Sequence, residues 1–130
     1  MEILKDYPGF TNIDNLLYPV SGSITGSSSV RVSKTLDVTE VWLVSEIAIQ
    51  STGELNLKIE DTGRDGQVWF SDEGIKKSAL TQATGAYRQK LEENVIVKPG
   101  STIVVTFEDE SGSTNEAQLL LIGRKLKKRS

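Results

Sequence analysis

From Glu54 to Glu60 every second residue is apolar: Leu55, Leu57 and Ile59 alternate with Asn56, Lys58 and their polar neighbours. Successive side chains of an extended chain point to opposite faces, so this period of two specifies a strand with one face buried. The period recurs at Val30, Val32 and Leu36, with Lys34 as the exception, and at Ile47 and Ile49. It returns at Ile103, Val105 and Phe107, and at Ala117, Leu119 and Leu121. Val41, Trp42, Leu43 and Val44 are apolar without a break, which predicts a strand covered on both sides at one end, with Trp42 in the core. Shorter candidates span 67–70, 87–91 and 94–98, and turn residues at 51–53, 62–66, 98–100 and 111–112 punctuate the series. The chain has 130 residues, and about eight strands at this spacing predict an all-β fold, a jelly-roll-like or Greek-key β-sandwich. The one helical candidate is 72–84, where Ile75, Ala79, Leu80 and Ala83 recur at spacings of three to five before Gly85.

Composition excludes most catalytic kits. The sequence has no His and no Cys, which removes the imidazole base, the thiol nucleophile, the zinc finger and the disulfide framework. The longest aliphatic run, 119–122, is far short of the ~20 residues of a membrane helix, so a soluble chain without a membrane partner is expected. The net charge of −3 hides a split, because Arg124, Lys125, Lys127, Lys128 and Arg129 place five positive charges in the last seven residues. Without them 10 basic residues stand against 18 acidic ones, a body of −8 that repels nucleic acid. Nucleic-acid contact, if any, falls to this tail. The tail otherwise anchors an acidic neighbouring subunit, or is a solvated terminus that blunts the edge of the last strand.

Residues 1–22 lack sustained alternation but carry Tyr7, Phe10, Leu16, Leu17 and Tyr18, with Pro8 and Pro19. They read as an extended arm whose aromatic and leucine side chains anchor on a neighbour, or as a strap closing one end of their own core. Three segments are therefore expected: an arm over 1–22, a sandwich over 23–123 and a basic tail over 124–130. Trp69 and Phe70 follow an Asp/Gly loop, and alternation exposes one of the pair to a neighbour's pocket or a sugar ring.

Other motifs dissolve on inspection. Residues 61–72 overlay partly on a calcium loop, but Gly63 supplies no side-chain oxygen at the third position and Asp72 stands where a bidentate Glu belongs. The segment 22–29 is rich in Gly and Ser, yet no Gly-Lys-Ser/Thr follows it, so it lacks the features of a phosphate loop. Neighbouring acids such as Glu92-Glu93 and Glu108-Asp109-Glu110 point to opposite sides or into water, where a glycosidase needs two carboxyls facing one another. No metal, cofactor or catalytic residue is expected, and an enzyme using carboxylates is the least favoured reading.

Leu55 to Gly63, then Val97 to Val105 with its Pro-Gly-Ser turn, then Asn115 to Lys125 with its closing Leu-rich strand, Gly123 and basic end, resemble small β-sandwich virion proteins of tailed bacteriophages. The resemblance covers roughly residues 30–125 and is a pattern of turns. It implies a non-enzymatic virion structural protein, of the capsid decoration, minor capsid or head-tail collar type, that docks on other virion proteins and forms homo-oligomers within the particle. On that expectation the subunit contacts are Tyr7, Phe10, Leu17, Tyr18, Trp69, Arg124, Lys125, Lys127, Lys128 and Arg129. The alternative is a glycan-binding or host-receptor recognition module with Trp69 or Tyr87 as its stacking platform.

Overall fold

The computed structural model describes residues 9–62, 67–68, 75–76 and 88–128. Within them the chain runs through β1 (Phe10–Ile24), β2 (Ser29–Thr35), β3 (Glu40–Ser51), β4 (Leu55–Asp61), β5 (Gln67–Val68), β6 (Ile75–Lys76), β7 (Arg88–Val97), β8 (Thr102–Asp109) and β9 (Asn115–Lys128). Seven are long and two have two residues each. A front sheet has the order β1-β9-β3-β7; a back sheet has the order β2-β8-β4-β5, with β6 also on β4. All pairs are antiparallel, and β1 with β9, β2 with β8, β3 with β7 and β4 with β5 and β6 form a nested series. One long hairpin rolled over on itself produces that nesting, and it is the jelly roll that the strand count predicted. No α-helix occurs among the described residues. Ile75–Lys76, inside the segment expected to be helical, is a strand, and the rest of 72–84 lies outside the described residues.

The core lies between the sheets. Leu16, Val20 and Ile24 of β1, Trp42, Val44, Ile47 and Ile49 of β3, Val97 of β7 and Ala117, Leu119 and Leu121 of β9 meet Leu55, Leu57 and Ile59 of β4 and Ile103, Val105 and Phe107 of β8. The alternating residues read from sequence are the inward ones. Strand β3 shows where strict alternation fails: a bulge between Val44 and Glu46 adds a residue, so Trp42 and Val44 before it and Ile47 and Ile49 after it all point inward.

That bulge explains Gly123. The residue pairs with Val44 on one side and Leu16 on the other. A Cβ added there would fall on the carbonyl oxygen of Leu43 and lie 3.0 Å from the Val44 Cα. These are backbone atoms of a central strand and have nowhere to retreat. The structural need is a close approach of two backbones, which only glycine permits.

At both ends of the expected division into arm, sandwich and tail the described residues pair into the front sheet. From Phe10 onward the presumed arm is β1, the edge of the front sheet, in register with β9 from Phe10↔Lys128 to Ile24↔Asn115. Pro19 is tolerated because an edge strand has one side free of ladder bonds. Of the presumed tail, residues 124–128 are the end of β9, which pairs with β1 on one side and β3 on the other as far as Lys127, and residues 129–130 lie outside the described residues. The two segments hid one another in the sequence, since each supplies the other's partner.

Gly123→Ala should lower the unfolding free energy by about 3 kcal/mol, in the range for forcing an extra methyl into a packed site, measured by urea denaturation. A midpoint equal to that of the unaltered chain would contradict the backbone contact.

Candidate docking face

The back sheet turns a polar surface outward. Ser29, Arg31, Ser33 and Thr35 of β2 are exposed, and Thr102, Val104 and Thr106 of β8 and Asn56, Lys58 and Glu60 of β4 are half-buried. The front sheet differs. Its outward residues run in rows across the strands: Ile13, Leu126 and Val41; Asn15, Arg124, Leu43 and Ile96; Leu17, Ile122 and Glu46; Pro19, Leu120 and Ala48. Most are apolar. Sheets solvated on one side alternate apolar with polar, so an apolar outer layer marks a face that something else covers.

Part of this face is already covered. A bulge between Phe10 and Asn12 carries Phe10 to the outer side, where it packs with Val41 and Leu126 and against Leu43 and Ile96. The remainder is open, with Leu17 at 65% exposure and Ile13 at 45%. On this face the row of Asn15 and Arg124 lies between the two, and β9 sets Ile122 half-buried beside Leu17 and Leu120 half-buried in the next row. Arg124 and Lys128, both exposed, flank Leu126 on the same side of β9. Arg124 therefore lies between the Ile13 and Leu17 rows, and Lys128 lies beyond the Ile13 row.

The expected contact residues divide by position. Leu17, Arg124 and Lys128 are on the outer face of the front sheet. Phe10 is buried as a pillar of the second cluster. Tyr18 points inward, its ring 5.0 Å from that of Trp42, with the Lys34 Nζ 5.8 Å above it. Lys125 and Lys127 face the other way from Arg124, in register with Asp14 and Glu40, cross-strand placements that favour opposite charges. Trp42, beside Lys125, donates from Nε1 to Glu40 at 3.3 Å. Tyr7, Trp69 and Arg129 lie outside the described residues, as does the alternative platform Tyr87. Ile13, Leu120, Ile122 and Leu126 were missed. For Leu120 and Ile122 the signal was the unbroken run 119–122, which carries the same two-faced meaning as 41–44.

At the far end of the front sheet the loops are tied by one carboxylate. Asp109 Oδ2 accepts from the Ser27 amide at 2.8 Å and the Gly112 amide at 2.9 Å. Its Oδ1 accepts from the Ser111 hydroxyl at 2.6 Å, the Ser111 amide at 3.1 Å and Asn115 Nδ2 at 3.1 Å. Asn115 passes the connection on, donating to the Glu54 carbonyl at 3.0 Å and accepting from the Gly53 amide at 3.1 Å. Three connections, β1 to β2, β3 to β4 and β8 to β9, meet in this network. The Ser111 hydroxyl first, then the Ser27 amide, hold the Asp109 carboxyl far below the usual carboxylate range, and outweigh the opposing effect of burial. The Thr39 amide and hydroxyl lower Asp37 in the same way. Among the described residues no group of three or more His, Cys, Asp or Glu side chains is placed to hold a metal ion.

No family model matches the sequence, and no curated relative matches it. Among solved structures, the capsid asymmetric unit of cyanophage Pam1 is similar at 15% identity and a TM-score of 0.46, over 89% of this chain and 85% of that one. The nucleoplasmin-like N-terminal domain of Drosophila FKBP39 aligns at 10% identity and a TM-score of 0.43, over 89% and 92%. The Gt strain of infectious bursal disease virus aligns at 14% identity and a TM-score of 0.35, over 88% of this chain and 32% of that one. Viral capsid proteins thus stand among the neighbours beside unrelated β-sandwich proteins, and the likeness extends to no particular function.

A carboxyl depressed in the native state stabilises it at every pH above the unfolded value, about 4, and that contribution is lost as pH falls toward the native value. Melting curves from pH 7 to pH 2.5 should therefore show the unaltered protein losing stability below about pH 4 more steeply than Asp109→Asn, which should already melt lower at pH 7. Parallel curves would show that the network does not bind the carboxylate.

Proposed function

We propose that this chain is a non-enzymatic structural protein of a phage virion, of the capsid decoration, minor capsid or head-tail collar type, which docks on other virion subunits in several copies. The carrying observation is the outer face of the front sheet, where Ile13 and Leu17 stand open beside Leu120 and Ile122. Covering these side chains supplies the hydrophobic term of association. Arg124 among the apolar rows and Lys128 beyond them select the partner's chemistry: an apolar surface with interspersed carboxylates on a neighbouring virion subunit. The resemblance of residues 55–63, 97–105 and 115–125 to small phage sandwiches supports the same reading. So does the jelly roll, a fold shared by viral shells and by lectins, though this is analogy at the level of fold. No catalytic step is assigned to any residue.

The reading is tested by sedimenting purified protein with particles that lack it. Leu17→Asp should leave folding stability within about 0.5 kcal/mol of the unaltered chain, because its side chain is mostly in water. It should weaken incorporation tenfold or more, and binding of the unaltered chain should weaken with added salt. Incorporation of Leu17→Asp at the unaltered level would overturn the assignment.

A further inference from the structure

The polar end of the front sheet carries a second surface. Along β1, four residues separate the Leu17 row from the Ser21 row, roughly 13 Å. There a concavity of about 560 Å³ opens, lined by Ser21, Ser23, Gln50, Thr52, Glu116 and Gln118, with Gly22, Ser51 and Ala117 between them. Its size falls within that of small-ligand sites. The six named first are the outward residues of three adjacent strands and the β3–β4 turn. Ser21, Gln118 and Gln50 share a row, and Ser23 and Glu116 share the next.

The lining is held in place by its own bonds. The Ser23 hydroxyl donates to Glu116 Oε1 at 2.8 Å, and Gln118 Nε2 donates to the Ser21 hydroxyl at 3.5 Å. The Glu116 amide donates to Thr52 Oγ1 at 3.0 Å, and Thr52 Oγ1 donates to Asn115 of the carboxylate network at 3.3 Å. Beneath the floor the Phe107 ring presses on Gly22, where an added Cβ would lie 3.1 Å from it. The floor is therefore bare backbone over a rigid core.

We infer that this trough binds a neutral carbohydrate. The Ser21 hydroxyl and the two carboxamides donate and accept, and Ser23, whose proton is held by Glu116, and Glu116 itself accept, which matches the paired donor and acceptor character of each sugar hydroxyl. A phosphate or sulfate ester would meet Glu116 with no cation in the lining. An apolar ligand would take the carboxamides of Gln50 and Gln118 out of water. Rigid strands and mutual hydrogen bonds reduce the ordering cost of binding. This assignment is independent of the docking face.

The test is an array of immobilised neutral oligosaccharides and their sulfated analogues, probed with the purified full chain, followed by calorimetry and backbone NMR with the best-retained sugar. At least one neutral glycan should be retained, and more strongly than its sulfated analogue. Its affinity should fall about tenfold or more in the double variant Gln50→Ala, Gln118→Ala. Leu17→Asp should bind the sugar as the unaltered chain does, so failure of the docking reading and failure of this one are separable. Shift changes should centre on residues 21–23, 50–52 and 116–118. No retained glycan, stronger retention of sulfated analogues, unchanged affinity in the double variant, or shifts centred elsewhere would each overturn the assignment.

Discussion

Burial of Leu119 and Leu121 against the back sheet is the interaction on which the rest of the molecule depends. Both are wholly buried and belong to the main core. They anchor β9, which is paired on both sides for nearly its whole length. Because side chains alternate, fixing those two leucines inward sends Leu120 and Ile122 outward, where the molecule itself does not fully cover them. The core and the proposed docking face are therefore two sides of one strand. A slip of one residue would exchange them, and Gly123 blocks it, since no other position of β9 could accept the Leu43 carbonyl.

The front sheet divides its chemistry lengthwise. At one end are apolar rows with Arg124 and Lys128; at the other are hydroxyls, carboxamides and Glu116. The Asp109 network holds the loops at the polar end by hydrogen bonds to their amides. At the other end Phe10 does the equivalent work by apolar burial with Val41 and Leu126. The back sheet shows neither arrangement. Its Thr35 and Thr102 hydroxyls bond one another at 2.8 Å, an ordinary solvent-facing cross-strand pair. A layered domain with one wet face and one apolar face fits attachment to a larger surface.

Much of this was legible because burial writes itself as a period of two. Residues 55–59, 103–107 and 117–121 could be read as half-buried strands, and 41–44 as covered on both sides, which Val41 and Trp42 are. Strand β1 was not legible, because Pro19, Gly22 and the serines around it break the apolar pattern; an edge strand needs only one good side. The basic end of β9 read as solvated since charge hides strand character even where a charged residue stands opposite an opposite charge in the ladder, as Lys125 stands opposite Asp14. The β3 bulge cannot be read from pattern, because it changes phase without changing composition. The Asp109 network was invisible for a different reason: its members are separated by 82 residues between Ser27 and Asp109, and turn-rich segments look alike whatever they bond to. Which pairs nest is likewise a long-range property, fixed by packing of the two sheets.

Radical footprinting of side chains, on the free protein and on the protein within assembled particles, tests the central claim most directly. The account predicts that Ile13, Leu17, Leu120 and Ile122 are oxidised in the free protein and several-fold protected in the particle, while Val104 on the back sheet is labelled equally in both. Equal labelling of Leu17 in the two states, or protection confined to the back sheet, would contradict it.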